Sequence, residues 1–229
     1  MAIRKLQYQI DYVHILTFKD QYKDIVSPYF PFENVKYAIE NENTIHESIR
    51  LIFNNEHILF LLNKQSIILL FEGPVSDLKN QSGPIRFFWD MYEKIKTLKN
   101  YTKTTRHLLV AQSVDFRTKD EVENILNENP YFTQNPFGPL KEFSCIYEFE
   151  ESEIKYNINF GNYNKNDIEK QDLTPFKTDF NKDLFENVGL IGRIEANEKE
   201  KNPSYSKFKS LLSRAEQKLS KLNLLKVED

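Results

Sequence analysis

Three short apolar runs within residues 44–72 constrain the fold more than any other part of the chain. The polar breaks between them, residues 54–56 and 63–65, are too short for the crossover that parallel strands need. The runs therefore predict an antiparallel meander. The second and third runs, 57–62 and 67–71, are apolar at nearly every position, which is typical of strands covered on both faces.

A helix is predicted over residues 84–98, because the apolar period changes there from about two to about 3.6. Pro84 suits the first helical position. The apolar stripe of this helix consists of Ile85, Phe88, Trp89, Tyr92 and Ile95. Similar patterns predict strands over 3–16, 35–40 and 106–116, a hairpin over 143–160, and helices over 18–26, 118–126 and 203–224.

The hairpin over 143–160 alternates apolar and polar residues, which predicts an antiparallel pair with one dry and one wet face. Its first strand places Phe143, Cys145, Tyr147 and Phe149 on the dry face. Residues 188–194 are predicted to form an edge strand or a buried turn, with Gly189 and Gly192 as turn glycines. The polar segment 161–183 is predicted to be a long loop.

The expected fold class is α+β, with a mainly antiparallel sheet and packed helices. The order of the elements also suggests two ferredoxin-like halves, residues 1–100 and 101–197, which share no residue-level repeat. These halves would form one domain over 1–197. Residues 198–229 are predicted to be a charged linker and a C-terminal amphipathic helix.

Composition places the chain among soluble proteins, with 40% hydrophobic and 28% charged residues. The net charge of -3 provides no global attraction to nucleic acid or to an anionic membrane. The single cysteine allows no internal disulfide, which fits a reducing compartment. No apolar run has the length of a signal peptide or a membrane span, so we expect a cytoplasmic protein without a membrane role.

No motif predicts a metal, a cofactor or a catalytic residue. The histidines do not occur at the short spacings of zinc ligands; they are His14, His46, His57 and His107. Cys145 is interpreted as a small core residue, since a nucleophile would need a neighbouring base. Whether the chain is an enzyme stays open, with the balance against it.

A cluster of carboxylates is the next candidate: Glu148, Glu150, Glu151 and Glu153. Such a cluster could hold a cation or serve as acid and base. A solvated face with cross-strand pairs to Lys155 and Asn157 explains it better, because such pairs are common on sheets.

The most basic stretch contains the candidate nucleic-acid-binding residues Lys94, Lys96, Lys99, Lys103 and Arg106, followed by His107. Cations interleaved with Tyr92 and Tyr101 could bind a phosphate backbone and stack bases. The alternative is the solvent face of a helix that runs into a polar turn.

The C-terminal helix carries an apolar stripe of candidate interface residues: Phe208, Leu212, Ala215, Leu219 and Leu222. This stripe could form a short seam with a partner helix. Docking on its own domain is the alternative, because isolated helices of this length are marginally stable.

Three segments carry a resemblance to known proteins in their order along the chain: IRKLQYQIDY, IRFFWDMYEKI and RHLLVAQSVDF. With the helix and the meander between the first two, this layout over residues 3–160 resembles a sporadically distributed, uncharacterised bacterial protein family of about this length. The resemblance implies no activity. The topology also resembles the paired ferredoxin-like RNA endonucleases of CRISPR systems, but their glycine-rich C-terminal motif is absent, so no functional residue carries over.

The expected function is that of a non-enzymatic interaction protein, which binds a protein partner or itself through the terminal helix or a sheet edge. The expectation extends to membership of a bacterial multi-protein or defence system. The alternative is an RNA-binding protein that uses the basic stretch at 94–107. A metal-free hydrolase using the carboxylates at 148–153 is the third hypothesis.

Overall fold

The structure is a computed structural model that describes residues 2–29, 35–42, 44–78, 83–128, 142–164, 188–199 and 202–222. Within these residues one antiparallel sheet has the strand order β2-β3-β4-β5-β1-β6-β9-β8-β7. Its strands are β1 (Ala2–Tyr12), β2 (Val35–Glu40), β3 (Ser48–Phe53), β4 (Ile58–Asn63), β5 (Ser66–Glu72), β6 (Thr104–Phe116), β7 (Ser144–Glu151), β8 (Ile154–Asn164) and β9 (Val188–Glu198). The α-helices are α1 (Phe18–Val26), α2 (Pro84–Lys96), α3 (Lys119–Glu128) and α4 (Tyr205–Lys221). The predicted α+β class with an antiparallel sheet is confirmed.

Strand β1 lies in the interior of this sheet and joins its early and late parts. It pairs with β5 on one side and with β6 on the other. Leu6, Tyr8 and Ile10 alternate along one face of β1 and are buried in the main core. The strands before residue 100 and the strands after it therefore belong to one continuous sheet.

Strands β4 and β5 are buried on both faces, as their apolar runs predict. Phe60 and Leu69 lie opposite each other and belong to the main core. On the other face a second cluster consists of Leu59, Leu61, Ile68 and Leu70. Because both faces are dry, these two strands can be apolar at almost every position.

Aromatic side chains attach helices α2 and α4 to β1. The ring of Tyr8 lies 6.0 Å from Phe88 and 5.9 Å from Trp89 of α2, and 4.8 Å from Phe208 of α4, between ring centroids. Burying such large side chains contributes roughly 1.5–3 kcal/mol each. The amphipathic stripe of α2 therefore packs on the sheet, as predicted.

The helices begin where their sequences indicate. Gly83 caps α2 and Pro84 is its first residue. At the start of α3, the Glu121 backbone N–H donates to Thr118 Oγ1 at 3.2 Å, and the Thr118 N–H donates to Glu121 Oε2 at 2.7 Å. This reciprocal pair is a capping box, which the spacing of Thr118 and Glu121 indicates.

Strand β9 corrects the prediction of an edge strand or a buried turn at 188–194. It pairs with β6 on one side and β8 on the other. Gly192 is a position of close approach and not a turn glycine, since a Cβ there would lie 3.0 Å from Ser113 Oγ and 3.1 Å from Leu219 Cδ2. The missing side chain lets α4 approach the sheet, and it also weakens the apolar pattern of the strand.

Strand β7 corrects the predicted dry face of the hairpin. Tyr147 and Phe149 are exposed, and Cys145 is half-buried. The matching residues of β8, such as Tyr156 and Ile158, are buried as predicted. The difference arises because β7 is the last strand in the order and has a neighbouring strand on one side only among the described strands.

The remaining predictions concern larger units. The predicted loop at 161–183 begins inside β8, and its part from residue 165 onward lies outside the described residues. The described strands form one sheet of nine strands, and its order does not confirm two ferredoxin-like halves, which stay a prediction. The boundary predicted at 197 falls within β9, and the division into domains stays a prediction.

No helix among the described residues is long and apolar enough to cross a membrane.

We predict that Ile194→Ala lowers the free energy of unfolding by about 2–5 kcal/mol, because Ile194 is fully buried in an interior strand. Urea unfolding measures the change. The matched control is Ile146→Ala in β7, where the same side chain is exposed and the change should stay within about 0.5 kcal/mol. Equal losses in the two variants would contradict the interior position of β9.

Candidate interaction surface

Three of the five predicted nucleic-acid-binding cations have partners within the chain. Lys96 Nζ lies 2.7 Å from Glu93 Oε2, and Arg106 pairs with Asp11. Lys94 Nζ lies 5.6 Å from the centre of the Tyr29 ring. The other two cations, Lys99 and Lys103, are exposed. An electropositive surface would therefore rest mainly on these two lysines, and nucleic-acid binding stays a prediction.

His107, next to this stretch, is a core residue. It is fully buried, its Nδ1 lies 2.8 Å from the Tyr8 hydroxyl, and its Nε2 lies 3.0 Å from Glu198 Oε2. Burial, with a smaller contribution from the charge of Glu198, raises the pKa of Tyr8 well above its ordinary value. The hydroxyl therefore stays protonated and can donate to an unprotonated Nδ1. This contact links β1, β6 and β9 inside the core.

The predicted interface stripe of the terminal helix is occupied by the chain itself. Phe208, Leu212, Ala215 and Leu219 are buried in the main core, and Leu222 packs against it. The Ser204 hydroxyl caps the helix by accepting from the Lys207 backbone N–H at 3.4 Å. A partner could reach this stripe only if α4 left the sheet.

The carboxylates near the hairpin have the cross-strand neighbours that the sequence predicts. Asn157 Nδ2 donates to Glu148 Oε1 at 2.8 Å, and Glu150 lies opposite Lys155. Across the described ranges, no three histidine, cysteine or acidic side chains come together as a metal site would require. The arrangement is that of a solvated sheet face with paired side chains.

Strand β7 carries three exposed apolar side chains, which together with its backbone we call the β7 edge. Ile146, Tyr147 and Phe149 expose 64%, 47% and 39% of their surface. Because side chains alternate along a strand, Ile146 lies on one face of the sheet and the two aromatic residues lie on the other. An end strand that is apolar on both faces can accept another strand.

The terminal helix holds the β7 edge in place. Phe149 stacks on Tyr156 of β8, with ring centroids 5.1 Å apart and an interplanar angle of 21°. Lys218 Nζ of α4 lies 4.8 Å from the Phe149 ring and 4.5 Å from the Tyr156 ring, and it pairs with Glu151. This pairing lowers the pKa of Glu151 below its ordinary value. These contacts attach the last strand of the sheet to β8 and to α4.

A shallow cavity of about 450 Å³ adjoins the β7 edge. It is lined by Glu148, Phe149, Glu150, Lys155, Tyr156, Asn157, Glu195 and Asn197. Most of these side chains lie on the face that carries Ile146, because Glu148, Asn157 and Glu195 are directly opposite one another across three strands. This face is polar and predominantly acidic.

Ile146 is not among the candidate residues that the sequence predicts. It interrupts the hairpin's alternation, because it places an apolar side chain at a position between Ser144 and Glu148 on the predicted wet face. That interruption was the available signal for an apolar surface on both sides of the strand.

Comparisons with known proteins add no family or activity to this geometry. A scan against protein-family models gives no match, and a search of curated proteins finds no similar sequence. The exposed end strand is therefore the strongest pointer to function.

We predict that Glu151→Gln reduces the loss of stability that the protein shows in acid. A carboxyl whose pKa is lower in the folded state stabilises the fold above its unfolded pKa, and this stabilisation is lost as the pH falls through the folded pKa. Urea unfolding at about pH 6 and about pH 3 measures the difference. In a Lys218→Met background the effect of the substitution should be clearly smaller, because only the weaker attraction of Arg214 and Lys221 still lowers the pKa of Glu151. An equal acid sensitivity of Glu151→Gln and the wild type would contradict the prediction.

Proposed function

We propose that the chain is a non-enzymatic interaction protein that binds a protein partner by adding a strand of that partner to β7. The exposure of Ile146, Tyr147 and Phe149 on the last strand of the sheet carries this proposal. An added strand gains main-chain hydrogen bonds from the sheet edge and specificity from alternate side chains.

The chemistry of the exposed side chains supports a protein partner. Tyr and Phe are enriched in protein interfaces, where a few buried side chains provide most of the binding free energy. Tyr147 and Phe149 would contact the partner on one face of the sheet, and Ile146 would contact it on the other. An added strand would therefore bury apolar surface on both sides.

The order of the β7 edge also supports strand addition. All eight residues of β7 are paired in register with β8, from Ser144 opposite Gly161 to Glu151 opposite Ile154. The contacts of Lys218 with Phe149 and Tyr156 fix the strand further. A partner would therefore bind to a preformed template and lose less conformational entropy on binding than it would on a mobile segment.

Membership of a bacterial multi-protein or defence system, a cytoplasmic location and the ferredoxin-like halves remain proposals. They rest on the order of the elements along the chain and on its composition. A protein that recruits a partner through a sheet edge is compatible with such a system, because strand addition requires no catalytic residue.

We expect the double substitution Ile146→Thr/Tyr147→Thr to weaken capture of a protein partner by about tenfold or more, because it removes apolar anchors but keeps strand-forming residues. Affinity capture with the immobilised full chain, followed by titration of the captured protein, measures this. The matched control is Ile45→Thr, because Ile45 is an exposed isoleucine (71%) outside the sheet. Equal retention of the partner by the double variant would overturn the proposal.

A separate binding assay tests the nucleic-acid hypothesis. Fluorescence anisotropy with single-stranded RNA over a salt titration should give no binding at physiological salt. Salt-dependent binding that is lost in Lys99→Ala/Lys103→Ala would instead assign the function to the exposed lysines of the basic stretch.

A further inference from the structure

We propose that the strand that pairs with β7 is a cationic segment of another protein, in which Lys or Arg alternates with apolar residues. This inference rests on the proposed function, because it names the occupant of the same edge. The distribution of charge on and around the strand supports it.

Strand β7 carries acidic side chains and no basic one. Its sequence SCIYEFEE contains three glutamates, and Glu153 follows in the turn. Glu148 and Glu150 lie on the same face as Ile146. Two cations of neighbouring elements lie close to these glutamates: Lys155 of β8 is opposite Glu150, and Lys218 of α4 pairs with Glu151. Glu148 has a neutral amide opposite it, so it could still gain from a cation.

The position of the carboxylates determines the pattern of a suitable partner. Side chains directly opposite each other on neighbouring antiparallel strands have Cβ atoms about 4.5–5.5 Å apart, and opposite charges at such positions stabilise the pair. Lys or Arg residues two positions apart would therefore lie opposite Glu148 and Glu150. The residue between them would lie on the other face, near Tyr147 and Phe149, where an apolar side chain fits.

The cavity beside the strand extends this acidic face. Glu195 of β9 lies across Asn157 from Glu148, and both carboxylates line the same cavity of about 450 Å³. The long side chain of Lys or Arg can lie across such a surface with its charged end in the cavity. Glu195 adds less to the charge preference than the edge carboxylates do, because Arg193 Nη2 lies 3.9 Å from its Oε2.

A second copy of this chain matches the edge poorly. If two β7 strands paired antiparallel with the two Glu148 residues opposite each other, like charges would face each other, which is destabilising. If the two Tyr147 residues lay opposite each other instead, Glu148 would lie opposite Ile146 and would gain no cation. The other end strand, β2, has the sequence VKYAIE, and its single lysine is accompanied by Glu40, which pairs with Arg50 at 3.2 Å. Neither strand supplies alternating cations.

Synthetic peptides test the occupant directly on the full chain. The probe is a capped strand-forming peptide in which lysine alternates with valine, compared with the same peptide carrying glutamate in place of lysine. We expect the lysine peptide to bind about tenfold or more tightly than the glutamate peptide at physiological salt. Hydrogen exchange should show new protection of backbone amides in β7. Alternate N-methylation of the peptide, which removes hydrogen-bond donors, should abolish binding.

Matched variants distinguish the effect of the local carboxylates on peptide binding from the effect of net charge. Glu148→Gln/Glu150→Gln should weaken binding of the lysine peptide by about fivefold or more, because it removes the facing charges. Glu42→Gln/Glu56→Gln removes the same net charge from exposed positions away from β7, and it should leave binding nearly unchanged. An equal loss in both variants would show nonspecific attraction and overturn the inference.

The remaining outcomes distinguish this inference from the proposed function. If a captured partner depends on Ile146 and Tyr147 but the two peptides bind equally, strand addition stands and the cationic occupant is wrong. Dimers in sedimentation that disappear in Ile146→Thr/Tyr147→Thr would identify a second copy as the occupant instead. Absence of lysine-peptide binding up to about 1 mM, which corresponds to about 4 kcal/mol of binding free energy, would also overturn the inference.

Discussion

The packing of Tyr8 is the interaction on which the rest of the structure depends. Its ring lies between the aromatic residues of α2 and Phe208 of α4, so one side chain of the interior strand β1 contacts both helices. A phenolic hydroxyl that is removed from water requires a hydrogen-bond partner. His107 of β6 provides it at 2.8 Å, and the ring nitrogen on its other side lies 3.0 Å from Glu198 of β9. The centre of the sheet is thereby joined across three strands and two helices.

The helices cannot cover all nine strands of the sheet equally. Helix α2 packs on β1 and α4 lies over β1, β6 and β9, whereas β7 lies beyond β8 at the end of the strand order. Phe149 contacts Tyr156 and the ammonium group of Lys218, and it remains 39% exposed. The exposed apolar surface thus follows from the architecture, and the contacts of α4 keep it ordered. Such an ordered, half-covered strand differs from a mobile segment, because its backbone is already in the conformation that a partner strand requires.

The sequence predicts those helices and strands in which burial is uniform, because the apolar residues then recur at regular spacing. The runs of β4 and β5 and the stripe of α2 are clear because their burial is uniform. Strand β9 is harder to predict, since Gly192 replaces an apolar side chain where α4 approaches most closely. The stripe of α4 is ambiguous for a different reason: an apolar helix face has the same spacing whether it docks on its own sheet or on a partner. The β7 edge depends on strand order, which no local pattern contains, and only the interruption at Ile146 indicated it.

The acidic character of β7 gives the end of the sheet two properties at once. Charged side chains on an end strand oppose pairing with an identical strand, which protects the molecule from association through its own edges. Under the proposed function, the same carboxylates would favour a strand of opposite charge, so protection against self-pairing and selection of a partner would have one physical origin. Apolar side chains at Ile146 and Tyr147 would contribute affinity without discriminating between partners. The carboxylates of Glu148 and Glu150 would then decide which strands can use that affinity, because a neutral or acidic strand would leave them desolvated without a cation.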